Sequence, residues 1–160
     1  MKIGFASDHR GFLLKEYLKN ELVKKNYEII DYGTHSEEST DYPDYAFKLG
    51  ENLVKGEVDF GVAICGSGIG ISIACNKVKG IRCAKVENKE EARVTRIDNN
   101  SNIVAMSEKV NPEEALEIVE TFIKTDFSDL EKHHRRVNKI IEYEEKQWKE
   151  NSFYTLSSQC

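Results

Sequence analysis

The sequence predicts an α/β protein: a three-layer, doubly wound sandwich in which a five-stranded parallel sheet carries helices on both faces. Three observations predict it. Five short apolar runs alternate with five segments whose apolar residues recur at helical spacing. Strand–helix–strand units of this length make right-handed crossovers, so the strands are parallel and covered on both sides. The polar residues best suited to chemistry fall just after strands one, three and five, where open parallel sheets keep their sites.

The elements follow in order. Lys2 to Ala6 is a strand, and Ser7-Asp8-His9-Arg10-Gly11 is a polar turn. Leu14, Tyr17, Leu18 and Leu22 mark one buried stripe of a helix over 12–25. Glu28 to Tyr32 is the second strand, ended by Gly33. A polar loop from Thr34 to Tyr42 leads to Pro43, which suits a helix start, and Ala46, Leu49, Gly50 and Leu53 give that helix its inner face. Phe60 to Cys65 is the third strand, and a helix follows Gly70. Gly80 to Val86 is the fourth, after which Asn88 and Glu91 form a capping box for a helix to about Arg96. Ile103 to Met106 is the fifth, and Asn111-Pro112 caps a last core helix lined by Ala115, Ile118, Val119 and Phe122.

Residues 130–150 break the alternation. Val137, Ile140, Ile141 and Trp148 share one face of a helix otherwise rich in Lys, Arg and Glu. With no strand after it, this amphipathic helix docks either on a partner subunit or back across its own chain. The domain therefore spans 1–150, and 151–160 reads as a loose tail.

Composition narrows the function. A chain of 160 residues builds one domain with a real core. A net charge of −5 argues against a nucleic-acid or anionic-membrane surface, so a phosphate site would have to be a local cluster of cations. Cys65, Cys75, Cys83 and Cys160 form no C-x-x-C pair and no metal spacing with the four histidines. No secretory leader or membrane-spanning run is evident, and a soluble, reducing, cytoplasmic setting is expected.

The most informative segment is Cys65-Gly66-Ser67-Gly68-Ile69-Gly70, a strand end, a glycine turn and a helix start. Converging backbone amides and the helix N-terminus favour a thiolate at Cys65 and offer a hole for an oxyanion. From spacing alone the same pattern also fits a buried core cysteine beside a structural turn. It further resembles a dinucleotide loop, with Glu87 as a ribose-binding acid. Yet Ile71 stands where the last glycine belongs, and the loop follows the third strand.

Beyond that segment, the chain carries Ser7-Asp8-His9-Arg10-Gly11, Thr40-Asp41-Tyr42-Pro43-Asp44-Tyr45-Ala46, Ile71-Ser72, Asn76-Lys77, Arg82, Asn99, Asn102 and His133 to Val137. Over residues 1 to about 141 it resembles the ribose-5-phosphate isomerase B type of sugar-phosphate isomerases, with the related galactose-6-phosphate isomerase subunits. The resemblance implies an aldose–ketose isomerase of the pentose phosphate pathway that uses no metal or organic cofactor. Cys65 would be the base that moves a proton between C2 and C1 through a cis-enediolate. The amides of Gly66, Ser67, Gly68, Ile69 and Gly70, with Asn99, would bind the charged oxygens, and Asp8 and Tyr42 the sugar. His9, Lys109, Lys132 and Arg136 would bind phosphate. Lys109 and Lys132 replace arginines usual in the family and bind as point charges. Lys132, Arg135 and Arg136 also fit a solvated helix face.

One departure matters more. Asp98 stands where the family carries the histidine that opens the furanose ring. Either Asp98 acts as an acid with a raised pKa, His9 or Asp8 opens the ring, or the substrate is a six-carbon phosphosugar such as allose or galactose 6-phosphate. A non-catalytic phosphosugar-binding protein is a further reading. The expected assembly is a homodimer or dimer of dimers, because helix 130–150 carries both an apolar stripe and Lys132 and Arg136.

Overall fold

The computed structural model describes residues 1–157, with side chains to residue 149. Along them run β1 (Lys2–Ser7), α1 (Phe12–Lys24), β2 (Glu28–Asp31), α2 (Tyr42–Val54), β3 (Phe60–Cys65), α3 (Ile69–Cys75), β4 (Cys83–Lys85), α4 (Lys89–Asn99), β5 (Ile103–Ser107), α5 (Pro112–Lys124) and α6 (Glu131–Ser157). The strands form one parallel sheet in the order β2-β1-β3-β5-β4, the expected doubly wound sandwich.

The two faces of the sheet differ in bulk. Ile3, Phe5, Val62, Ile64, Val104 and Met106 pack under α1, α4 and α5. Ala6, Ala63, Cys65 and Ala105 turn the other way, toward α2 and α3. Small side chains let the second helical layer come close: a Cβ on Gly4 would lie 2.6 Å from Leu49 Cδ1. Cys65 belongs to this thin face.

Local chemistry sets the ends of the elements. Asn88 Oδ1 accepts the Glu91 N–H at 2.9 Å, and Asn111 Oδ1 accepts the Glu113 N–H at 3.0 Å, with Pro112 opening α5. Three boundaries depart from the sequence reading. β4 starts only at Cys83, because the Gly80 N–H bonds the Glu144 carboxylate and the Arg82 N–H bonds Asn102 Oδ1 instead of a strand. α4 runs past Arg96 to Asn99 and ends where Asn100 turns left-handed at φ 48°, so Asp98 and Asn99 lie on the helix. α6 continues past residue 150 to Ser157, correcting the loose tail, since no glycine or proline interrupts it. Residues 158–160, with Cys160, lie outside the described residues.

α6 docks first on its own chain. His133 and Val137 are buried, and the helix packs on α4. It then crosses the β4 edge, where Glu144 caps Gly80 and Lys79 lies over the Trp148 ring. The predicted single apolar face is divided: Leu130, Ile140 and Tyr143 are more than half exposed.

Candidate active site

The carboxyl ends of β1, β3 and β5 lie side by side, with Ser7 paired to Ile64 and Cys65 to Ser107. Cys65 is the last residue of β3 and 4 % exposed. Its Sγ accepts the Gly68 N–H at 3.2 Å. Gly68 reaches that position with φ +76°, and a Cβ there would lie 2.7 Å from the Met106 carbonyl carbon. Only glycine fits without moving backbone. Ser67 Oγ accepts the Ile69 N–H at 3.2 Å, and Ser107 Oγ donates to the Gly66 carbonyl at 2.8 Å, so both ends of the turn are fixed. The turn thus aims a backbone N–H at the Cys65 sulfur.

The loop after β1 closes one side. Asp8 is buried, and its Oδ1 accepts the Arg10 and Gly11 N–H groups at 3.0 Å each, which shapes the entry to α1. His9 Nδ1 lies 3.2 Å from the Thr40 amide nitrogen, tying that loop to the one before α2. From the start of α2 the Tyr42 ring covers Gly70: a Cβ on Gly70 would meet Tyr42 Cζ at 2.7 Å. Arg10 pairs with Glu108 after β5, and this ion pair, which raises the Arg10 pKa first through its hydrogen bond, passes beside Gly66. Lys109, exposed beyond β5, lines a cavity of about 400 Å³ with Lys85, Ser107 and Asn111. Asp8, His9, Tyr42, Cys65 to Gly70 and Lys109 thus share one end of the sheet.

Asp98, Asn99, Lys132 and Arg136 do not join them. α4 runs antiparallel to the strands, so its last turn sits at the opposite end, near the start of β5. That leaves about 15 Å of strand between Asn99 and Cys65. There His133 Nε2 lies 3.6 Å from Asp98 Oδ1, and the Ser128 N–H bonds the Ile97 carbonyl, fastening the start of α6 to the end of α4. Lys132 and Arg136 are exposed on the same turns of α6. Asn99 borders a second cavity of about 400 Å³ with Arg82, Cys83, Ile140 and Glu144. Cys83 lines it and faces the fully buried Cys75. The hydrogen bond from that neighbour, then burial, pushes the Cys83 thiol well above its usual range.

Sequence reasoning missed the Arg10–Glu108 bridge and the Asp98–His133 contact. Their partners are 98 and 35 residues apart, and no local pattern joins them. Among the described residues no group of three His, Cys, Asp or Glu side chains is arranged to hold a metal, and no helix is long and apolar enough to cross a membrane.

Comparison with known proteins gives this geometry its family. Residues 3–140 match the model of the family described as Ribose/Galactose Isomerase. The chain is 40 % identical over 146 residues to ribose-5-phosphate isomerase B of Escherichia coli, covering 91 % of this chain and 97 % of that protein. It superposes on Clostridium thermocellum ribose-5-phosphate isomerase B with a TM-score of 0.89 at 49 % identity, covering 92 % and 99 % of the two chains. The Mycoplasma genitalium enzyme, solved with bound ribulose 5-phosphate, gives 0.84 at 36 % identity, covering 90 % and 96 %. With a matching model over most of its length and relatives along nearly all of it, the chain belongs to the ribose/galactose isomerase family.

Proposed function

We propose that this protein is an aldose–ketose isomerase interconverting ribose 5-phosphate and ribulose 5-phosphate through a cis-enediolate, with Cys65 as the base. One observation carries the reading: a buried thiol at a strand end, held at 3.2 Å by the Gly68 amide, in a family of sugar isomerases. In the open-chain aldose, the thiolate removes the C2 proton. The electron pair forms the C1–C2 double bond and leaves negative charge on O1, which the loop amides stabilise. A proton passes from O2 to O1, the thiol returns its proton to C1, and the C2 carbonyl forms. Asp8 and Tyr42 hold the sugar, and His9 and Lys109 receive the phosphate.

The remaining ligands come from a second copy of the chain. Asp98, Asn99, Lys132 and Arg136 lie too far from their own Cys65, whereas a two-fold partner would bring its set to that loop. The exposed Leu130 just before α6, with Ile140 and Tyr143 on it, suit such an interface, giving a cytoplasmic homodimer or dimer of dimers. A six-carbon phosphosugar is the second reading, favoured by Asp98 in place of histidine. The deciding assay compares turnover of ribose, allose and galactose 6- or 5-phosphates in D₂O, with deuterium entering the product carbon. Binding of all three without turnover of any would leave a non-catalytic phosphosugar-binding protein.

A further inference from the structure

One buried histidine has no task in the isomerase scheme. His133, in the first turn of α6, is 5 % exposed and lies against the end of α4. Its two ring nitrogens have different surroundings. Nε2 lies 3.6 Å from Asp98 Oδ1, while Nδ1 is buried with no hydrogen-bond partner in the protein. An N–H at Nδ1 would be buried without an acceptor, which costs more than an idle lone pair. Nε2 is thus the ring nitrogen that faces the carboxylate, and Nδ1 the one that faces no acceptor. The other charges nearby do not alter this. Arg93 on α4 acts on Asp98 by charge alone, and Arg96 is turned away onto the carbonyls of Thr125 and Ser101. The His134 ring lies tilted against Phe127.

We infer that His133 is a positioning residue that holds Asp98 as an oriented carboxylate, so that Asp98 meets the sugar as a proton acceptor and not as the ring-opening acid. At 3.6 Å the contact is longer than a hydrogen bond, and Asp98, whose side chain is 45 % exposed against the buried His133, is the partner with room to turn. His133 takes up lone pairs on one oxygen and leaves the rest of the carboxylate for a ligand. In ring opening, Asp98 accepts the proton of the anomeric hydroxyl. The O1–H electron pair becomes the second bond of the C1 carbonyl, the C1–O4 bond breaks, and O4 takes a proton from water. The inference rests on the isomerase reading above.

The test compares His133→Gln, which keeps an amide N–H at the position of Nε2, with His133→Leu, which keeps bulk alone. For ribose 5-phosphate the leucine variant loses about 10- to 100-fold in kcat with KM changed less than about threefold, and glutamine recovers most of it. Solvent-proton exchange into ribulose 5-phosphate, which has no furanose ring, stays near wild type in both. Imidazole nitrogen shifts at pH 7 report a hydrogen on Nε2 alone, and Asp98→Asn moves the Nε2 signal. Equal losses in the two variants, equal losses with both substrates, or a hydrogen on Nδ1 would each overturn the inference. If the wild type turns over no phosphosugar, the isomerase reading falls by itself, and the nitrogen shifts still decide whether His133 holds Asp98.

Discussion

Arg10 and Glu108, 98 residues apart, form an ion pair across the mouth of the Cys65 loop. The stem of Arg10 comes within 3.8 Å of a Cβ built on Gly66, and the Glu108 N–H bonds the Cys65 carbonyl at 2.9 Å. Each partner thus belongs to a loop that touches the turn. The Arg10 side chain is more than half exposed, so Arg10→Ala leaves the melting temperature within about 3 °C. It should nevertheless raise KM for a phosphosugar about 3- to 10-fold, since the turn loses a neighbour that fixes it. Steady-state kinetics beside a melting curve separates the two effects, and a large fall in Tm would make the pair structural.

Cys65→Ala should abolish isomerisation, by about a thousandfold or more, while sugar-phosphate affinity stays within several-fold. Cys83→Ser and Cys75→Ala should keep kcat, because Cys83 lines the second cavity and Cys75 is buried in the core, both away from the turn. Retention of more than a tenth of wild-type kcat in Cys65→Ala would remove it as the base.

Gly68→Ala tests the turn without touching the thiol. Its Cβ would meet backbone at 2.7 Å and its φ is +76°, so the loop must shift. We expect a loss of about 1–3 kcal/mol in stability and at least a tenfold fall in kcat. Gly70→Ala meets only the half-exposed Tyr42 ring and should be milder, with the effect mainly in KM. Comparing the two by denaturant unfolding and kinetics checks the order.

Mixing two inactive proteins tests the shared site. Cys65→Ala and Arg136→Ala chains, unfolded and refolded together, should regain about a quarter of wild-type activity, because half of the random dimers are hybrids and each hybrid holds one intact site. Activity no greater than that of the separate variants would place the whole site in one chain.

Asp31 sets an acid limit on stability. Burial opposes its charge, but hydrogen bonds from Lys15 and Lys19 and from the Gly33 N–H outweigh that and hold the carboxyl below its usual range. The folded protein therefore binds this proton later than the unfolded chain. Its contribution is complete above about pH 4 and is lost as pH falls below that value. Asp31→Asn should destabilise by about 3 kcal/mol at pH 7, since the Lys15 side chain is fully buried and keeps only Glu16. The gap to wild type should narrow between about pH 4 and pH 2. A constant gap across that range would reject the assignment.

Much of this was legible in the sequence because it is local. The strand–turn–helix around Cys65 shows in six consecutive residues, and the caps at Asn88 and Asn111 in four. The ends of β4 and α4 were not, since Glu144 and Asn102 decide the first from a distance and the αL turn at Asn100 decides the second. The larger gap concerns which residues meet. Asp98 and Asn99 read as neighbours of a strand-end site, whereas helix direction carries them to the other end of the sheet. Neither His133 nor Glu108 signals its partner by any period.

The placement of Cys65 and Asp98 at opposite ends of one sheet has a consequence for mixed populations of chains. With the site shared as proposed, each symmetric pair holds two centres, and each centre borrows half from either chain. A chain damaged in one half still lends its sound half to a partner, so activity falls in simple proportion to the damaged fraction. A chain damaged in both halves spoils both centres of every pair it enters, and activity then falls as the square of the intact fraction. Because each centre draws its two halves from different chains, lesions divided equally between the halves cost the same whether they are gathered on the same chains or scattered over different ones.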